Sequence, residues 1–408
     1  MAHDISWRDY RELLSQRAYR STLAFSALAR LPFAMVSLAV LFHAQERSGS
    51  FAWAGALSSA MLAGTALGSV VQGKLIDASG PTRPLFGACL VFAPCTAVLM
   101  TAVHECWGGP WPILLAGCVG FSQPNVAAAS RAVWGRVVTD PAHVTTGAAY
   151  EALSLEVAFV LGPGLVGAFA MAGYSAAGLA TSATLMIAGT LGFLSSALVR
   201  RWPTGTADRR ASRRRGALGS LRQGALRALV TASAGLGLCL GGVEVAVPAA
   251  MRAQGSPGLG GLLLSGWTIT SLLFAIPYGT RPVPRALEHR VPALLAGFAV
   301  LVIATAVPRS PLGITLAVLL AGCLIAVQPT THSLTLQTVV PREEIAQGFA
   351  WIITSMTLGA AAGQSISGHL VEQAGPRPAL AAVGALGLLA AAAVTLQRAA
   401  LRAPRATP

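Results

Sequence analysis

The chain alternates long apolar runs with short polar links. Twelve of the runs are long enough to carry a helix across ~30 Å of hydrocarbon, which takes about 20 mostly apolar residues. They fall at roughly 21–44, 52–73, 84–103, 111–130, 146–171, 174–199, 225–250, 259–279, 291–307, 311–333, 346–371 and 378–398. One link is longer than the rest. Residues 200–224 are polar and rich in arginine, and they sit at the middle of the chain. The pattern predicts an all-α membrane protein: a six-helix unit over 1–199, a basic linker over 200–224, and a second six-helix unit over 225–408.

Composition agrees with a lipid solvent. Hydrophobic residues make up 54% of the chain and charged residues 11%, with a mean hydropathy of +0.63. A soluble domain carries about 25% charged residues, so this chain has too few to cover a water-facing surface. The net charge is +14, and its distribution is informative. With the N-terminus placed in the cytoplasm, fifteen Lys and Arg fall in cytoplasmic termini and short loops. Nine more lie in and beside 200–224, together 24 of the 29. Four (Arg47, Arg252, Arg309, Arg377) fall outside, and Arg30 lies within a span. That asymmetry predicts cytoplasmic termini and a cytoplasmic central loop, and it accounts for the basicity without nucleic acid. Trp53, Trp107, Trp111 and Trp202 fall near span ends, where interfacial aromatics belong. The charged first 20 residues carry no cleavable leader pattern and read as a cytoplasmic lead-in, with an amphipathic surface helix as one form. The six cysteines form no CxxC pair and read as small packing residues.

The two halves share a layout. "GCVGFSQP" from Gly117 in span four answers "GCLIAVQP" from Gly322 in span ten, 205 residues later. "GPGLVG" from Gly162 in span five answers "GQSISG" from Gly363 in span eleven, at an offset of 201. In transporters built from such repeats, the binding site lies between the repeats near the bilayer midplane.

Between spans two and three the chain reads "GKLIDASGPTRPL" from Gly73. This resembles the signature loop of the major facilitator superfamily, G-x-L-x-D-x-x-G-x-x-R. Gly73, Leu75, Asp77, Gly80 and Arg83 match in spacing, while Pro81 and Thr82 replace the usual basic residues. With twelve spans in a repeated six, the resemblance covers the whole chain. It implies a fold of two pseudo-symmetric bundles. It also implies a latch in which Asp77, at the end of span two, faces the positive N-terminus of span eleven while Arg83 holds the loop. The alternative is a charged turn that ends a helix. The corresponding loop of the second half, "YGTRPVPRALEHR", has no Asp. "LGPGLVG", carrying Gly162, Pro163 and Gly167, is similar to the span-five segment of drug/proton antiporters. Its small residues permit close helix packing, and generic packing is the other reading. The arginine such antiporters carry early in span four is absent from 111–124.

Ionisable groups inside spans are costly and usually face a partner or water. Arg30 in span one and Glu156 in span five lie at similar depth, which predicts an Arg30–Glu156 pair with a structural or a transport role. Glu244 is the only charge in span seven, with no partner nearby in sequence. An acid so placed can bind and release a proton, and Glu244 is the leading candidate for a proton carrier. A site near the outer interface is the alternative. Glu151 is placed nearer the cytoplasmic interface. His332 reads as a hydrogen-bonded helix-end histidine. Gln123, Asn125 and Gln328, on spans four and ten, are candidates for the wall of the central cavity that those spans line in the superfamily. Packing between helices competes with that role.

No phosphate-binding loop, zinc motif or nucleophile elbow can be quoted, so the chain is read as neither an enzyme nor an ATP-driven pump. The expectation is a monomeric secondary transporter in the plasma membrane. It needs no cofactor and draws on the proton gradient. It exports a small apolar or amphiphilic solute by alternating access. Uptake of a metabolite and a non-transporting receptor or assembly role are the alternatives.

Overall fold

The computed structural model describes residues 11, 13–202, 223–256, 258–280, 286–341 and 344–402. The central stretch of the basic linker, most of the first twelve residues and much of the loop after span eight therefore lie outside the described residues.

Each predicted run is a helix, because in lipid every backbone N–H and C=O needs a partner within its own segment. The first six spans are Arg17–Ser48, Phe51–Ser79, Thr82–His104, a broken span four (Trp111–Ser122 and Val126–Val137), Pro141–Met171 and Ser175–Ser195. The second six are Gly224–Ala253, Leu259–Thr280, Leu287–Ala304, a broken span ten (Pro311–Gly322 and Val327–Val339), Ile345–Ala374 and Pro376–Leu396. Among the described residues, eleven stretches are long and apolar enough to cross a membrane. The remaining predicted span, 346–371, is a 30-residue helix packed on spans two, seven and twelve. Helix starts carry expected caps. Ser50 accepts from the Trp53 N–H at 3.1 Å, Asp140 from Ala142 at 2.9 Å, and Ser310 from Gly313 at 3.1 Å. The chain is a multi-pass membrane protein. Its exposed side chains include Leu90, Leu114, Leu273, Ile276, Leu316 and Leu389, an apolar girdle that lipid solvates and water does not.

The helices form two six-helix bundles with matching neighbours. Span one packs on spans five and six, as span seven packs on eleven and twelve. Span two packs on four, as eight packs on ten; three packs on six, as nine packs on twelve. The two largest contacts between bundles are two with eleven and five with eight, and these are themselves related by the repeat.

The start of span one and the end of span twelve lie on one side, the terminal side, and the two largest crossing contacts lie on the far side. Gln45 of span one accepts from Arg252 of span seven at 2.5 Å. The Phe51 N–H at the start of span two donates to Glu372 of span eleven at 2.9 Å. Spans two and eleven touch backbone to backbone: a Cβ on Gly55 would lie 2.7 Å from the Gln364 carbonyl oxygen. Spans five and eight do the same, since a Cβ on Gly167 would lie 2.9 Å from the Gly261 Cα. Both of these hydrogen bonds and both backbone contacts between the bundles lie on the far side.

Candidate functional site

The twin octapeptides mark the breaks in spans four and ten. In the first half, the helix stops at Ser122 and resumes at Val126, with Pro124 between. Gln72 of span two splints the gap. Its amide donates to the Gln123 carbonyl at 2.9 Å and the Phe121 carbonyl at 3.3 Å, and its oxygen accepts from the Asn125 N–H at 2.9 Å. In the second half, two adjacent side chains of span eight divide that work. Thr270 donates to the Leu319 carbonyl at 2.8 Å, and Ser271 accepts from the Ala326 N–H at 2.8 Å.

These contacts support the competing reading of Gln123 and Gln328 as packing between helices, while Asn125 is half-buried. Gln123 is 6% exposed and its side-chain oxygen accepts from Thr65 of span two at 3.1 Å. Asn125 caps the resumed helix by accepting from Ala128 at 3.1 Å. Gln328 is fully buried and donates to its own helix at Leu324, 3.1 Å away. A backbone interrupted inside a bundle leaves polar groups that need local partners, and these amides serve that need. Replacing Gln72 by leucine is expected to orphan two carbonyls and an N–H. The cost is about 1–3 kcal/mol for each buried group left unpaired, visible as a lowered melting temperature in detergent. An unchanged melting temperature would show that the splint is dispensable.

The buried charges regroup as well. Arg30 is 3% exposed, and its partner is Glu151 at 2.8 Å, not Glu156. The partner lies five residues, ~7.5 Å along the axis, nearer the start of span five than expected, and on another face. Glu151 and Glu156 are five residues apart, so they point ~140° apart around span five at 3.6 residues per turn. Glu151 is itself 6% exposed. Ser130 of span four donates to it, and Ser154 receives Arg30 at 2.5 Å. Spans one, four and five are thus tied through one ion pair. Arg131, in the second segment of span four, stands within electrostatic reach of both Glu151 and Arg30. Glu156 is half-buried and makes no ion pair among the described residues. His332 is buried and hydrogen-bonds Ser233 of span seven at 3.1 Å.

Glu244 lies nine residues before the end of the helix of span seven at Ala253, ~14 Å at 1.5 Å per residue. It is partly exposed. Its carboxylate accepts from the Gln364 side chain of span eleven at 2.8 Å. The same nitrogen reaches Ser37 of span one at 3.4 Å. One amide therefore bridges the second half to the first, just inside the far-side closure. In the sequence, the signal for Gln364 is its place as the amide of "GQSISG", the segment that answers "GPGLVG" in the repeat.

In the signature loop, Asp77 is exposed and pairs with Arg136 of the same half at 3.5 Å. Among the described residues it makes no bond to span eleven, the partner the resemblance implies. The Arg136 guanidinium lies 5.0 Å from the Trp202 ring centre. Trp202 packs on Gly80, whose φ of 82° suits glycine. Arg83 is exposed, and a Cβ on Gly73 would meet open space. In span five, Gly162 abuts Ala34 and Met35 of span one, and Gly167 abuts Gly261 of span eight. The helix continues through Pro163.

The sequence matches no protein-family model and no curated protein. Solved structures resemble it over nearly its whole length. A bacterial homologue of the human lysosomal transporter Spinster, in an inward-facing and unoccupied conformation, matches with a TM-score of 0.70 at 12% identity, over 98% of this chain and 100% of that one. The nucleoside transporter NupG matches with a TM-score of 0.67 at 14% identity, over 94% and 99%. The human organic anion transporter MFSD10 matches with a TM-score of 0.61 at 18% identity, over 93% and 99%. The chain has the major facilitator fold.

Proposed function

We propose that the protein is a secondary active transporter of the plasma membrane, working as a monomer by alternating access. The observation that carries this reading is where the bundles meet: spans two and eleven, and spans five and eight, touch backbone to backbone on the far side. Beside that contact lies the Glu244 carboxylate, whose partner Gln364 reaches the other half at Ser37. With the terminal side in the cytoplasm, as the arginine distribution indicates, the closed side is the outer one, as in a carrier open inward. Few charges are available to meet a solute, which suits an apolar or amphiphilic one. The Gly-Pro segment of span five, seated against spans one and eight, favours efflux. Glu244 is the proton carrier in this reading. The signature loop is the terminal-side latch, with Asp77 resting on Arg136 while the latch is open.

The test is transport of an amphiphilic dye in proteoliposomes under an imposed pH gradient. Dye movement against the proton flow is expected for the wild type, and loss of gradient-driven movement for Glu244→Gln. Dye moving with the protons would assign uptake instead. Equal gradient-driven flux in both proteins would remove Glu244 as the carrier.

A further inference from the structure

Gln364 does more than accompany Glu244. We infer that Gln364 is the positioning residue that reports the charge state of Glu244 to the far-side closure, holding that side shut while the carboxylate is ionised. The inference rests on the reading of Glu244 as the proton carrier and adds the device that couples the proton to the movement.

The geometry is specific. The Gln364 side chain is fully buried, at 0% exposure. Its nitrogen donates to Glu244 at 2.8 Å and to Ser37 at 3.4 Å. Its oxygen, also buried, has no partner. The Gln364 main-chain carbonyl meets Gly55 where spans two and eleven touch. One residue therefore contacts the titrating acid, span one and span two, the last two in the opposite bundle.

The chemistry follows from donor and acceptor roles. An ionised carboxylate only accepts, and a hydrogen bond from the amide to it is charge-assisted, roughly twice as strong as a neutral one. That bond fixes which end of the amide faces Glu244 and leaves the same NH2 group pointed at Ser37. Protonation turns one carboxyl oxygen into a donor. The acceptor available on Gln364 is then its unpartnered oxygen. Offering it requires the amide to turn, and its oxygen then accepts from the Glu244 carboxyl and the Ser37 hydroxyl in place of donating to them. Protonation so replaces a charge-assisted bond by a neutral one, about half as strong, and the tie from span eleven to span one loosens when Glu244 gains a proton. The ionised carrier is thereby held shut on the far side until either cargo binding or a proton offsets that bond, which prevents a futile return without cargo or proton.

No competing charge confuses the switch. Span seven packs against spans two, eight, nine, ten, eleven and twelve. Among the described residues the polar contact of the Glu244 carboxylate is Gln364 alone. On the far side, Arg252 is bonded to Gln45, Glu372 to Phe51, and His369 to its own helix at Ser365. On the terminal side, His332 is bonded to Ser233.

The test needs no substrate. Spin labels are placed at Glu105→Cys and Arg309→Cys, two exposed loop positions from opposite halves on the far side, on a background cleared of native cysteines. Distances are read in lipid nanodiscs at low and high pH. The wild type is expected to be shut at high pH and to shift toward far-side opening at low pH, by roughly 5- to 150-fold in the open-to-shut ratio, the usual span of coupling between sites. Glu244→Gln, and separately Gln364→Leu, are expected to make the ratio independent of pH. Ser37→Ala, which removes only the receiver, is expected to flatten it in part. A pH response that persists in Glu244→Gln, or is missing in the wild type, overturns the carrier reading and the inference with it. A response lost in Glu244→Gln but kept at wild-type size in Gln364→Leu overturns the inference alone. Should Gln364→Leu fail to insert, a full response in Ser37→Ala does the same.

Discussion

Arg30→Ala is expected to destabilise the first bundle by about 3–5 kcal/mol, the usual cost of removing one partner of a buried ion pair. The size follows from what is left behind. Glu151 is 6% exposed, and one of its carboxylate oxygens already lacks a partner. Without Arg30, the described contacts leave it the Ser130 hydroxyl and the more distant charge of Arg131. Ser154 loses the donor that reaches it at 2.5 Å. Because the pair ties spans one, four and five, the loss is expected to loosen the whole bundle and not one helix end. Thermal unfolding of purified protein in detergent measures it. The paired change Arg30→Met with Glu151→Gln removes both charges and keeps an acceptor for Ser130. It is expected to recover most of the loss, since a buried pair replaced by neutral groups of similar volume is often neutral in stability. If Arg30→Ala unfolds at the wild-type temperature, the pair is not structural. If the double variant is as unstable as the single one, the damage comes from packing around the Arg30 stem and not from charge.

The fate of Arg30 also shows where sequence reasoning reaches and where it stops. The spans, the repeat and the family-like loop follow from run length and spacing, quantities that lie along the chain. Depth also lies along the chain, so Arg30 is correctly placed opposite the acidic stretch of span five. Which of two acids meets it depends on rotation about two helix axes, and a five-residue difference turns the side chain to another face. The Gln-Pro octapeptides teach a related point. Their match locates equivalent breaks, but it does not say what their polar groups bond. Pro124 lies inside its break, whereas Pro329 lies in the first turn of the helix that follows. The residues that close the breaks, Gln72 and the pair Thr270 and Ser271, stand on neighbouring spans and are unremarkable in sequence. A polar side chain at matching places of spans two and eight is the available signal. Gln364 is hidden differently, since its meaning depends on Ser37 and Glu244, both far away in the chain.

Gly167→Leu is expected to hold the far side open and abolish transport. Closure brings span five against span eight with no side chain between them. A Cβ on Gly167 would lie 2.9 Å from the Gly261 Cα and 3.0 Å from both the Gly261 carbonyl carbon and the Leu262 nitrogen. All three are backbone atoms, so no rotamer change relieves the clash. The reverse view is as tight, since a Cβ on Gly261 would lie 2.5 Å from the Gly167 Cα. Overpacking of this kind costs about 1–3 kcal/mol, and leucine adds three further carbons to the one that already overlaps. The penalty falls only on the conformation in which the two spans touch. It is therefore a difference between states, the quantity that moves a conformational balance, and it shifts the ratio toward far-side opening by roughly 5- to 150-fold. The label pair at positions 105 and 309 reads that shift as a longer distance at every pH, unlike the pH-dependent shift expected through Gln364. Gly87→Leu in span three is the matched control, because a Cβ there meets open space, and it is expected to leave both distance and flux unchanged. A Gly167→Leu protein that closes and transports like the wild type would mean that spans five and eight part and rejoin without the backbone contact, and that the far-side seal is made elsewhere.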